Sequence, residues 1–148
     1  MLTEILQNLF RRDLAKLKDE IGLYRDEKKL WLVEKGITNS AGNLTLHLIG
    51  NLNTYIGAQI GKTGYIRQRP IEFSLKDVPR HELIQMITDA MKVVESSLDK
   101  LTVDQLEAEY PLLVFAEKMG TGYFLVHLST HLNYHLGQIN YHRRLLDV

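Results

Sequence analysis

Three histidines, His127, His131 and His135, stand at i, i+4 and i+8. On a helix, four residues turn through roughly 400°, so each imidazole lies about 40° round from the last and about 6 Å further along. Neighbours in such a set can reach one ion. The outer pair is about 12 Å apart, so all three do not readily share it. The chemistry in reach is a His-x-x-x-His pair that takes a third ligand from another element. His47, one to two turns inside the expected second helix and on another uncharged stretch, is the obvious third. Three imidazoles on a divalent ion leave a coordination position open, which is the pattern of catalytic rather than structural zinc. The competing reading makes His47 a hydrogen-bonded core residue and gives the spaced pair no ligand role. Against it stands the cost of buried polar atoms without partners, about 1–3 kcal/mol each. With no carboxylate in either stretch, an ion is an efficient way to satisfy several imidazoles at once. His81 and His142 read as surface residues without a role.

The setting of these histidines sharpens the point. The 148 residues carry 18 Lys and Arg against 18 Asp and Glu, a formal net charge of zero. Yet no charged residue occurs from Gly36 to Gly61 or from Met119 to His142. His47 lies in the first stretch, and the other candidate ligands lie in the second. Neither stretch reads as a membrane span, because Asn, Gln, Ser, Thr and His punctuate both and a span needs about 20 predominantly apolar residues. A neutral balance gives no reason to expect nucleic-acid binding or a polybasic membrane anchor. The chain has no cysteine, which excludes disulfides, thiolate metal sites, iron–sulfur clusters and a cysteine nucleophile. That fits a reducing compartment. Glu4 interrupts the apolar start and Arg11–Arg12 follow it, which is not the layout of a signal peptide. The expected location is cytoplasmic.

The elements that must position these residues read as helices in a single domain over 1–148. Leu2 to about Leu23 has apolar residues three and four apart. A charged connector follows from Tyr24 to Lys35, with Leu30–Val33 as an apolar plug. A second helix starts near Ser40, with Asn39 or Ser40 as N-cap, and runs to about Gly61. Gly50, Gly57 and Gly61 on it want a packing reason, since an interior Gly costs about 1 kcal/mol against Ala. Thr63–Lys76 reads as a loop. Asp77 is expected to cap a third helix over about Val78–Leu98, with Pro79 in its first turn. Thr102 and Gln105 form a capping box. Leu112–Met119 is ambiguous, and the fourth long helix spans about Thr121–Leu146. Four long helices imply a four-helix bundle, all α. The long second connection suggests a crossover rather than a hairpin.

The runs His127-Leu-Ser-Thr-His131-Leu-Asn-Tyr-His135-Leu-Gly-Gln-Ile and Asn43-Leu-Thr-Leu-His47-Leu-Ile-Gly-Asn51 resemble the last-helix and second-helix signatures of the DinB/YfiT-like metalloenzymes. The loop Arg67-Gln-Arg69-Pro-Ile-Glu72-Phe73 is similar to that of one uncharacterised DinB-like subgroup. Trp31 stands about where that family has an aromatic before its second helix. The resemblance runs over essentially the whole chain. It implies a four-helix bundle of up-down-down-up topology and a divalent metal, zinc or nickel. It assigns His47, His131 and His135 as ligands, with His127 lining the site or behind it. It also implies a homodimer, and relatives that include thiol-dependent transferases and isomerases.

Three functions are then in play. The leading one is a metal-dependent transferase with a low-molecular-weight thiol as cosubstrate and an electrophile as second substrate, since the chain has no thiol of its own. The second is a metal-dependent hydrolase, whose nearest general base is Glu72; the plainer reading of Glu72 is a surface salt bridge to Arg67 or Arg69. The third is a non-catalytic, metal-binding dimeric module, in which Gly50, Gly57 and Gly61 serve a helix–helix interface.

Overall fold

The apolar rows of the sequence become helices around one core in a computed structural model that describes residues 1–148. Helix α1 (Leu2–Leu23) buries Leu6, Phe10, Leu14, Leu17 and Ile21. These lie on one face, because side chains three and four apart share it. A 3-10 turn (Glu27–Trp31) follows, capped by the Asp26 side chain, and buries Leu30 and Trp31. Helix α2 (Ala41–Leu52) starts at Ser40, whose Oγ accepts from the Asn43 N–H. All of its residues from Ala41 to Leu52 are buried, which is why the sequence keeps charge out of it. Fully burying a Leu or Ile side chain is worth roughly 1.5–3 kcal/mol. A charged side chain there would need a partner.

The α geometry of this helix ends earlier than expected. From Asn53 to Ala58 it widens into a π-helical turn. Gly57 and Gly61 follow the expectation that a neighbour comes close. A Cβ on Gly57 would lie 2.8 Å from Val93, and one on Gly61 would overlap the Ser97 hydroxyl. Both neighbours belong to α4 (Arg80–Asp99), so the two glycines are taken up inside the chain and not at an interface between chains. Gly42 has the same role against Trp31, whose ring would lie 2.6 Å from an added Cβ.

Two boundaries differ from the expectation. Thr63–Lys76 is not all loop, because Arg69–Ser74 forms a short helix, α3, with Pro70 in its first turn. Asp77 does not cap α4: it sits at φ +60°, and Pro79 is the capping residue. The proline ring disfavours helical geometry at Val78, so the helix can only begin beyond it. Helix α5 (Val103–Glu107) opens with both hydrogen bonds of the Thr102–Gln105 capping box. Leu112–Met119 is irregular, and its ends are pinned where Glu109 and Gly120 form a single antiparallel bridge. Helix α6 (Thr121–Leu146) has the expected bounds.

The chain is all helical, with six α-helices and no strand. Helix α1 packs on α4 and α6, and α2 packs on the same two. No helix is long and apolar enough to cross a membrane.

Candidate metal centre

Helix α2 and helix α6 face each other across the core, and this brings His47 to His131 and His135. One ligand-capable nitrogen from each lies within 4.8 Å of the other two. His131 Nε2 is 3.3 Å from His47 Nε2 and 3.2 Å from His135 Nε2. A tetrahedral ion with bonds of about 2.0–2.1 Å sets its ligand nitrogens roughly 3.3 Å apart, so the donor set fits a divalent ion.

The other side of each ring shows how the imidazoles are turned. His47 Nδ1 lies 3.1 Å from Glu72 Oε1. His135 Nδ1 lies 2.7 Å from Gln138 Oε1. Both acceptors favour a proton on Nδ1 and leave the Nε2 lone pairs facing inward. His131 Nδ1 is buried with no partner. Burial, then the neighbouring His135 and His47, push His131 down to about 4. Burial also lowers His47, against the opposing pull of the Glu72 carboxylate. Neutral imidazole is the form that binds a metal, so the site holds His47 and His131 in the competent state at neutral pH.

His127 does not join the three. Its ring stacks on His131 with centroids 6.3 Å apart, against 4.6 Å between His131 and His135. Phe115, from the irregular segment, meets His127 edge-on at 4.9 Å. One helical turn separates His127 from the cluster, as the i, i+4, i+8 geometry requires.

Glu72 corrects an expectation. It pairs with Arg67, but not at the surface: it is 6% exposed. Arg67 Nε donates to Oε2 at 2.9 Å and Nη2 donates to Oε1 at 3.0 Å. Arg69 instead lies over the Phe73 ring, 5.2 Å from its centroid. Asn43 on α2 holds the segment in place, its Nδ2 donating to the carbonyls of Glu72 and Leu75. Gly50 supplies the space, since a Cβ there would overlap the Glu72 carboxylate. With both oxygens engaged, Glu72 is poorly placed to act as a general base.

His142 is a second correction. It is buried, 5% exposed, with Nδ1 2.6 Å from the Tyr24 hydroxyl and Nε2 2.9 Å from the Leu32 carbonyl. Its helical spacing from the buried Ile139 and Leu128 is a signal for burial that the neighbouring arginines mask. His81 is exposed, as expected. Beside the cluster runs a groove of about 580 Å³ lined by Ile37, Asn39, Tyr134, His135, Gln138 and Tyr141, among others, and by no charged side chain. Both uncharged stretches contribute to it.

A family model matches residues 4–147, nearly the whole chain, and its description is a protein of unknown function, DUF1572. The chain belongs to the DUF1572 family. No curated protein matches it. As a DUF1572 member the chain inherits no activity by name, so function has to be argued from the histidine cluster.

Proposed function

We propose that this DUF1572 chain holds one divalent metal, zinc or nickel, on the Nε2 atoms of His47, His131 and His135, and works as a transferase with a low-molecular-weight thiol cosubstrate. The observation that carries the metal reading is the convergence of three Nε2 atoms at 3.2 and 3.3 Å spacing while two of the Nδ1 atoms face acceptors. Without a cation, several lone pairs would crowd one point. A bound divalent ion with an open position lowers the pKa of a thiol and so supplies the thiolate that a chain without cysteine does not have. In the transfer, a sulfur–carbon bond forms to the electrophile, its leaving group departs with the bonding pair, and the thiol proton goes to solvent. The uncharged groove beside His135 is where we place the electrophile, with Tyr134 and Tyr141 as apolar walls and Asn39 and Gln138 as hydrogen-bonding groups. The hydrolase reading loses support because Glu72 is committed to Arg67 and His47.

We further assign the chain to the DinB/YfiT-like four-helix bundles, with up-down-down-up topology. The packing of α1 and α2 each on α4 and α6 supports this. A homodimer is proposed on the strength of exposed uncharged residues near the start of α6, Tyr123 and Val126, which lie outside that groove. The cytoplasm is the proposed location, and neither nucleic acid nor membrane is a proposed partner.

The test is to load the purified protein with zinc or nickel and assay it against a panel of thiols with a model electrophile. The reading predicts thiol-dependent turnover that is lost on chelation and restored by the metal. Absence of turnover across the panel, or turnover indifferent to chelation, overturns the transferase. Metal content measured on the same samples tests the centre separately.

A further inference from the structure

We propose that Arg67 and Glu72 are positioning residues for the metal centre. Arg67 locks the Glu72 carboxylate, and Glu72 fixes His47 in the tautomer that turns the Nε2 lone pair to the ion. The proposal rests on the metal-centre reading above and adds to it the device that orients one ligand.

The chemistry follows from what each group can do. A carboxylate paired with a guanidinium is an acceptor only. A neutral imidazole donates from one nitrogen and accepts at the other. With Glu72 Oε1 at 3.1 Å from His47 Nδ1, the proton belongs on Nδ1. Arg67 Nη2 also lies 3.4 Å from that nitrogen. As a donor it adds nothing to a protonated Nδ1, and its bond to Glu72 Oε1 is the shorter one, 3.0 Å. Glu72 cannot itself ligate the ion, because it meets the far side of the ring from Nε2.

The surroundings are built for this contact. Among the ion pairs of arginine with carboxylate in this chain, Arg67–Glu72 is the most enclosed, with side chains 14% and 7% exposed. Burying such a pair is a weak route to stability, and apolar replacements are often neutral or stabilising. Its presence here therefore asks for another reason. Gly50 is the residue whose lack of a side chain admits the carboxylate, and Asn43, one turn before His47 on α2, ties down the Glu72 backbone. The Arg67 guanidinium lies over the Tyr55 ring, 5.7 Å from its centroid, at the π-helical turn of α2. The three histidines are not treated alike. His47 has a charged, buried acceptor, His135 has the exposed Gln138 amide, and His131 has none. The orienting partners of metal-bound histidines commonly set affinity by about 10–100-fold.

The test uses Glu72→Gln, and the double variant Arg67→Met with Glu72→Met, which removes both charges and leaves no buried charge unpaired. Zinc affinity is read by competition with a chromophoric chelator. The His47 tautomer is read by nitrogen NMR in the metal-free protein, with thermal melts as a check on folding. We expect wild-type His47 to carry its proton on Nδ1 before any metal is added. We expect the double variant to fold, to lose that tautomer preference, and to bind zinc about 10–100-fold more weakly. Glu72→Gln, which keeps a neutral acceptor, should fall between the two. A folded double variant that binds zinc within about threefold of wild type overturns the proposal. So does a wild-type His47 protonated on Nε2. If wild type binds no zinc, the metal reading fails, and the tautomer measurement still decides whether Glu72 orients His47.

Discussion

Helix α6 carries two histidines about three turns apart, the buried His142 and the half-buried His131, and they differ in how their nitrogens are satisfied. His142 sits between the Tyr24 hydroxyl and the Leu32 carbonyl. Burial raises the Tyr24 phenol, so its O–H remains a donor. Nδ1 accepts from it and Nε2–H donates to Leu32, which leaves both ring nitrogens with a partner. His131 is the opposite case. Its Nδ1 has no partner, and its Nε2 faces two other imidazole nitrogens that it can serve only one at a time. A histidine with a donor on one side and an acceptor on the other is finished as a core residue. One that faces only its own kind has an arrangement that a cation would complete.

Substitution should separate the two sites most sharply. His131→Ala and His135→Ala are expected to abolish zinc binding in a chelator-competition titration, while His142→Ala keeps it within about threefold. His142→Ala should instead lower stability by about 1–3 kcal/mol in urea unfolding, because it leaves the Tyr24 hydroxyl and Leu32 carbonyl without partners. Zinc loss in His142→Ala would erase the distinction.

Gly50→Ala is the next largest effect. The added Cβ must displace the Glu72 carboxylate, so zinc binding should weaken about 10-fold, with a stability loss of about 1–3 kcal/mol from overpacking. The same change at Gly137, where an added Cβ meets nothing within 4 Å, serves as the control.

Acid should act on the cluster too. His131 and His47 are lowered in the fold, His131 to about 4, against about 6.5 in the unfolded chain. The unfolded state therefore takes up protons first as pH falls. Stability of the metal-free protein is undiminished by these groups above pH 6.5 and declines as pH drops from there towards 4. Melting temperatures across that window should show the decline, and His131→Ala should make it shallower. Zinc affinity should fall over the same range, since protons compete for the ligands. The smallest effect is expected for His127→Ala, which should keep most of the zinc affinity of wild type. Equal loss for His127, His131 and His135 would dissolve the division of roles along α6.

Much of this architecture is legible in the amino-acid sequence. The row of leucines and isoleucines in α1, the Ser40 cap of α2, the Thr102–Gln105 box and the bounds of α6 all rest on local periodicity or capping, which a sequence displays. The uncharged stretches point to the two helices that meet at the cluster. The partners of individual imidazoles are not legible there, because they come from far along the chain: Tyr24 lies 118 residues from His142. The burial of Glu72 depends on the hole left by Gly50 and on the Asn43 anchor, a three-way contact that no spacing rule reveals. The π-helical turn at Asn53–Ala58 leaves no mark in the apolar spacing, and Pro79 disfavours helical geometry at Val78, just after the left-handed Asp77.

The central claim is that His47, His131 and His135 hold one divalent ion between them. The most direct test is to titrate the metal-free wild type and His131→Ala with zinc and measure the bound metal per chain. The account predicts one tightly bound ion per wild-type chain and none in His131→Ala. Equal uptake by both proteins, or no uptake by either, would contradict it.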